Sequence, residues 1–295
     1  MYSIIDKQLS LSEFTTFDEF SAYVLSENKG HSRNATLAFA LRASSIGAAF
    51  TAAYRCALQA LLPELDPHLW AALCVTEKQG NHPKQIETVV NDQGLINGHK
   101  SFVSMAAQAA QLIVIAKAGQ VGDRPILKAV KVKQPADGLQ LALMPALPMI
   151  PEVSHGQITF NNVQGEILAG DGFLKYSKAF RYLEDLHVLI AFTGLVLSKS
   201  IRHELQPHLV EQTLLLLSSL MQLSIKEGPL QHLQLAASFA AFAALQEEFE
   251  LSFSVLPDTF TSDWMRDKKL FSVANKARLS RRDKARLLLS SQFKN

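Results

Sequence analysis

The side chains of this 295-residue chain best suited to metal binding or nucleophilic work are nine histidines and two cysteines. Their spacing supports neither chemistry. No His-Glu-x-x-His pair is present, and no histidine has a cysteine at metal-ligand spacing. His203 and His208 flank Pro207, so they do not share a helix face. No metal site is expected. No Gly-x-Ser-x-Gly elbow occurs, which excludes a hydrolase of that kind, and the glycine signals are too weak for a phosphate loop. Cys56 and Cys74 lie in apolar runs and read as buried free thiols, in keeping with a reducing cytoplasm. One charge feature is dense. Arg266 to Arg286 holds nine Lys or Arg and two Asp, a local charge of +7 against −5 for the rest of the chain. A solvated helix face accounts for such a run. The functional alternative is docking of an anionic partner or membrane surface. No aromatic residue lies between Phe271 and Arg286, and no nucleic-acid partner is expected.

Three blocks position whatever chemistry the chain has. Apolar residues make up 48% and charged residues 19%, the balance of a folded chain with a sizeable core. Residues 1–68 read as an N-terminal helical domain, rich in Ala and Leu and ended by Pro63 and Pro67. Residues 69–172 carry short alternating or β-branched runs (ALCVTE, IETVV, HKSFVSM, QLIVIAKAG, ILKAVKVK, LQLALM, QITFNNV) cut by Gly, Pro, Asn and Asp. They read as a central antiparallel β-domain. Asn97-Gly98 is its strongest hairpin signal, and a type I′ turn there puts Asn97 at positive φ. Residues 173–295 read as a C-terminal helical bundle, with helices near 176–204, 208–226, 229–254 and 262–290. No basic-then-apolar leader opens the sequence. The most apolar run, HVLIAFTGLVLSKS, stops short of the roughly 18 to 20 residues a membrane span needs. The expectation is a cytoplasmic protein without an integral membrane segment.

Five stretches in this order resemble the acyl-CoA dehydrogenase family. LWAALCVTE resembles its entry into the β-domain, ending in Thr-Glu. GLINGHKSFVSMA resembles its Leu-Asn-Gly-x-Lys hairpin, and QAAQLIVIAKAG the strand that follows. ITFNNVQGEILAG resembles its exit from the β-domain. WMRDKKLFSV resembles the segment of the last helices that leads to the catalytic loop. The resemblance is best from Leu69 to Gly194. It implies a multidomain α+β fold of acyl-CoA dehydrogenase-like type. It also implies a flavoprotein oxidoreductase of lipid metabolism that binds FAD and acts on the CH–CH bond of an acyl thioester. The implied partners are acyl-CoA or an acyl-carrier thioester and further copies of the chain in a homo-oligomer. CoA phosphates and an acyl carrier protein then join the anions that the basic segment could dock.

In such a site a carboxylate removes the α-proton while the flavin accepts a hydride. Thr76, Phe102 and Ser104 fall on positions that contact the flavin ring in the family. Elsewhere the pattern is lost. The family's Gly-Ser-Asp phosphate turn reads Gly80-Asn81-His82-Pro83 here, and Pro83 has no N–H to donate. The Arg and Phe of a segment that grips a neighbouring subunit's FAD are absent, and LSIKEGPL stands there. The family's Gln-x-x-Gly-Gly motif is not recognisable. Asn275 replaces the usual catalytic Glu, and an amide is no useful proton acceptor. The alternative base position of the family matches Leu186. Asp185, one residue earlier and about 100° round a helix, is the remaining candidate base. The resemblance thus leaves two readings: a dehydrogenase-like flavoprotein with altered or lost activity, or a catalytically degenerate thioester-binding or protein-interaction module.

Overall fold

A computed structural model describes residues 1–27 and 30–292. Residue contacts divide the chain into two units, one of 1–60, 148–150 and 182–295, the other of 61–147 and 151–181. Helices from both ends of the chain share the first unit, and the sheet belongs to the second.

The helical unit takes α1 (Tyr2–Leu9), α2 (Phe17–Ser26), α3 (Ser32–Ala40) and α4 (Ile46–Leu61) from the N-terminal side. From the C-terminal side come α5 (Ala179–Arg202), α6 (Pro207–Gln222), α7 (Pro229–Glu250), α8 (Asp258–Asp267) and α9 (Asn275–Gln292). Local chemistry sets their ends. Thr16 Oγ1 accepts from Glu19 N at 3.2 Å and caps α2. Pro207 and Pro229 open α6 and α7, where a missing N–H costs nothing. α4 is buried from Ile46 through Leu58, an Ala-rich apolar stretch that takes Thr51 and Arg55 inside with it. A Cβ on Gly194 of α5 would stand 3.1 Å from Ala40 Cβ and 3.2 Å from Leu37 Cδ1, so α3 and α5 approach closely.

The expected single helix over 262–290 is instead α8 and α9, separated by a 3-10 turn over Lys268–Ser272. No Gly or Pro marks this break. Phe271 accounts for it by packing inward, 4.8 Å from Phe192, 5.2 Å from Phe242 and 5.4 Å from Trp264 between ring centroids. Its freed carbonyl accepts from Arg278 Nη1 at 2.7 Å.

The second unit is an eight-stranded sheet. Its strands are β1 (Ala71–Cys74), β2 (Val89–Val90), β3 (Leu95–Ser104), β4 (Gln111–Val121), β5 (Arg124–Lys133), β6 (Leu139–Leu143), β7 (His155–Gln164) and β8 (Glu166–Ile167). They run in the order β6-β7-β3-β2-β4-β5-β8, with β1 beside β4. The pairings are antiparallel except for β1 and β2 on β4, which are parallel. One side of the sheet buries Ile96, Val103, Leu112, Val114, Val130, Ile158 and Phe160 in a common core.

The hairpin expected at Asn97-Gly98 lies elsewhere. Both residues are inside β3, where the register with β7 shifts between Ile96 and Gly98. Asn97 is not among the residues at positive φ, and Gly98 has φ +144°. The side chain of Asn97 bonds across to Asn162, donating to Oδ1 and accepting from the backbone N, both at 2.9 Å. The turn is Asn91 to Leu95, where Asn91 Oδ1 accepts from Gln93 N at 3.1 Å and Leu95 N at 2.9 Å, with Gly94 at φ +82°. An Asx turn therefore makes the hairpin, and Asn97-Gly98 makes a bulge.

Candidate functional site

Each unit carries its own group of candidate residues. In the sheet unit, β3 holds Phe102 and Ser104 two residues apart, hence on one face. Thr76 follows β1, and its carbonyl accepts from Ser101 N at 2.9 Å, which fixes it beside the same stretch of β3. Among the described residues the hydroxyls of Thr76 and Ser104 make no hydrogen bond within the protein, and Phe102 is 38% exposed. An aromatic ring open to solvent beside two free hydroxyls is a surface suited to a planar ligand with a polar edge.

A buried ion pair holds this patch in place. Lys100 is fully buried, and its Nζ donates to Glu77 Oε1 at 2.6 Å, Ile115 O at 2.7 Å and Val75 O at 3.2 Å. Glu77 also accepts from Glu87 N at 2.7 Å and Thr88 N at 3.2 Å. Burial alone would raise the Glu77 carboxyl, but the Lys100 ammonium and the amide donors outweigh it and hold its pKa below the usual range. The pair joins the residues next to Thr76 to the strand that bears Phe102 and Ser104. Lys100 lies in the Asn-Gly-x-Lys motif, so the sequence carried a signal for it.

The turn after Thr76 closes on itself. Glu77 and Gly80 exchange two backbone bonds at 2.9 Å. Gln85 Oε1 accepts from His82 N at 3.1 Å, His82 Nδ1 accepts from Lys84 N at 3.3 Å, and His82 O accepts from Gln85 N at 2.8 Å. The amides of Glu77, Gly80, His82, Lys84 and Gln85 are therefore committed inside the turn, and Pro83 has none. These amides are unavailable to a phosphate, whose cradle needs several free N–H groups.

In the helical unit, Asp185 is 5% exposed near the start of α5. Its carboxylate accepts from Arg278 Nε at 2.9 Å and from Arg281 Nη2, both on α9. Arg278 also donates to Asn275 Oδ1 at 3.1 Å and lies 3.9 Å above the Phe239 ring. The two positions singled out for a base, Asp185 and Asn275, thus meet at one guanidinium. Leu186 is fully buried. Two residues of the basic segment, Arg278 and Arg281, turn inward to Asp185, and Arg282 and Arg286 pair with Asp283. Sequence reasoning treated these arginines only as charge, and nothing in their spacing marks the partner. Among the described residues no group of three or more His, Cys, Asp or Glu is placed to hold a metal ion.

Neither a family model nor a curated protein matches this chain. Solved structures do. The butyryl-CoA dehydrogenase of Megasphaera elsdenii superposes with a TM-score of 0.69 at 14% identity, over 92% of this chain and 89% of that one. PigA with FAD and proline gives 0.66 at 11% identity, over 99% and 96%. The glutaryl-coenzyme A dehydrogenase complex with glutaryl-CoA gives 0.58 at 14% identity, over 86% and 80%. These likenesses are of fold, and by fold this chain is acyl-CoA dehydrogenase-like.

Proposed function

We propose that this chain is an acyl-CoA dehydrogenase-like flavoprotein whose ordinary chemistry on an acyl thioester is altered or lost. The residues of the sheet unit fit the ring of a flavin. Thr76 and Ser104 have free hydroxyls for its polar edge, and Phe102 has an open face to pack against it. A bound FAD would supply the two-electron acceptor of the reaction. The turn over 77–85 fits the phosphates poorly, because five of its amides are bonded internally and Pro83 has none. The observation that carries the altered-chemistry reading is the clamp on Asp185. A general base needs an open lone pair and a pKa raised by a dry, uncharged setting. At Asp185 two guanidiniums occupy the carboxylate oxygens, so no lone pair is open toward a substrate proton. Asn275 beside them has no basic atom.

The second reading, a catalytically degenerate thioester-binding or protein-interaction module, draws on the same clamp and on the closed turn. In either reading the partner is acyl-CoA or an acyl-carrier thioester, and the chain works as a homo-oligomer. An uncharged groove of about 580 Å³ between α6 and α7, lined by Leu215, Leu216, Ser219, Ala237, Ala241 and Leu245, supports self-association through the helical unit. Turnover of a generic acyl-CoA with added FAD and an artificial electron acceptor tests the reading. Little turnover is expected in the wild type, and no change in Asp185→Asn. Robust wild-type turnover that survives Asp185→Asn would overturn it.

A further inference from the structure

β6 ends the strand order on one side of the sheet and pairs with β7 alone. Hydrogen bonds at its two ends fix which way its backbone faces. Gly138 O accepts from Asn161 N at 3.0 Å, and Met144 N donates to His155 O at 2.9 Å. In an antiparallel ladder, residues bonded to the neighbouring strand alternate with residues that face away from it. Gly138, Gln140, Ala142 and Met144 therefore turn to β7, and Leu139, Leu141 and Leu143 point their N–H and C=O groups the other way. The Leu139 N–H is taken by Ala136 O at 3.1 Å. Among the described residues the N–H groups of Leu141 and Leu143 and the carbonyls of all three leucines have no hydrogen-bond partner.

Edge strands usually carry something that blocks a further strand: a very short run, a charge, a proline or a bulge. β8, at the other end of the order, has two of these. It is only Glu166–Ile167, and Glu166 is exposed and paired with Lys131 at 3.0 Å. β6 runs for five residues, LQLAL, with neither charge nor proline. No charged residue stands between Asp137 and Glu152, and the register on β7 has no shift. Leu139 and Leu141 pack against the sheet core, whereas Leu143, on the same face, is 58% exposed. The strand thus lacks hydrogen-bond partners along its edge and apolar cover at its end.

We propose that β6 is an interaction surface for β6 of a second copy of this chain, paired antiparallel about a two-fold axis at Leu141. The edge is complementary to itself in that register. Leu141 exchanges both of its main-chain bonds with Leu141 of the second copy. The Leu143 N–H meets the Leu139 carbonyl of the second copy, and the occupied Leu139 N–H is not needed. The same register sets the exposed Leu143 side chain against Leu139 and brings Asp137 opposite Pro145, so no like charges face each other. This surface lies in the sheet unit and is separate from the α6–α7 groove, so it goes beyond the homo-oligomer reading given above. The test is amide hydrogen exchange of the full chain at rising protein concentration, resolved at Leu141 and Leu143. Where about nine-tenths of the chains are paired, exchange at both amides should slow about tenfold. Leu143→Lys puts a charge on the edge at an exposed position and should remove the concentration dependence. Leu143→Pro deletes an N–H that β7 does not use and should do the same. Leu215→Glu, in the groove, should leave the dependence intact, which separates this surface from self-association through the helical unit. Exchange at Leu141 and Leu143 that does not change with concentration, or a dependence that survives in both Leu143 variants, would overturn the proposal. Fast exchange that slows only when a different protein is added would give the edge to a strand of that partner, and would overturn it as well.

Discussion

Lys100→Met is the most informative perturbation of the sheet unit. Methionine retains most of the buried aliphatic stem of Lys100, so packing changes little and the charge is what is removed. Glu77 is then left 7% exposed with two amide donors and no cation. Removing one member of a buried ion pair costs about 3–5 kcal/mol, because the other charge stays desolvated. Glu77→Gln should cost about as much by the same reasoning, since it strands the ammonium. The double variant removes both charges and should cost less than the sum by about 2 kcal/mol. Chemical denaturation followed by Trp70 fluorescence reads this, with Trp264→Phe as background so that only the sheet unit reports. Acid narrows the difference between wild type and Lys100→Met. The pKa of Glu77 is depressed in the folded state, so its contribution is present above the unfolded value and is lost as pH falls through the folded one. A cost for Lys100→Met below about 1 kcal/mol, the range of exposed pairs, or strict additivity in the double variant, would refute this account of the pair.

His187 is fully buried, with Nδ1 2.7 Å from Leu183 O and Nε2 3.0 Å from Ser32 Oγ, and burial pushes it down to about 4. The unfolded chain binds the extra proton between pH 6.5 and 4, so stability of the helical unit should fall by roughly 3 kcal/mol across that window. His187→Gln should flatten this dependence in denaturant midpoints measured against pH. Gly98→Ala should destabilise the sheet unit by about 2 kcal/mol or more. Its φ of +144° disfavours a side chain, and a Cβ would stand 2.6 Å from Thr88 Cα; a neutral effect on the midpoint would contradict the bulge.

Much of this architecture was legible because it is written locally. Hydrophobic period switches near Leu69 and again near Gly172, and Pro207 and Pro229 stand where helices begin. Thr76, Phe102 and Ser104 were singled out through motif likeness, and the bond from Ser101 N to Thr76 O sets Thr76, two residues past β1, beside β3. What escaped depends on partners distant in sequence. Phe271 breaks the last helix through rings on α5, α7 and α8, with no breaker residue to announce it. Asn97-Gly98 has the composition of a turn but is recruited by Asn162, and Asn91 with Gly94 made the turn instead. The Asp185 clamp joins residues 93 and 96 positions apart, and no pattern along the chain signals such a pair.

The most direct measurement is the visible spectrum of the purified full chain after incubation with FAD and removal of the free cofactor. The account predicts a retained flavin band in the wild type and a clear loss of it in the Thr76→Val, Ser104→Ala double variant, with the far-ultraviolet circular dichroism unchanged. A colourless wild type, or retention unaltered by the double variant, would contradict the assignment of Thr76, Phe102 and Ser104 as the ring site.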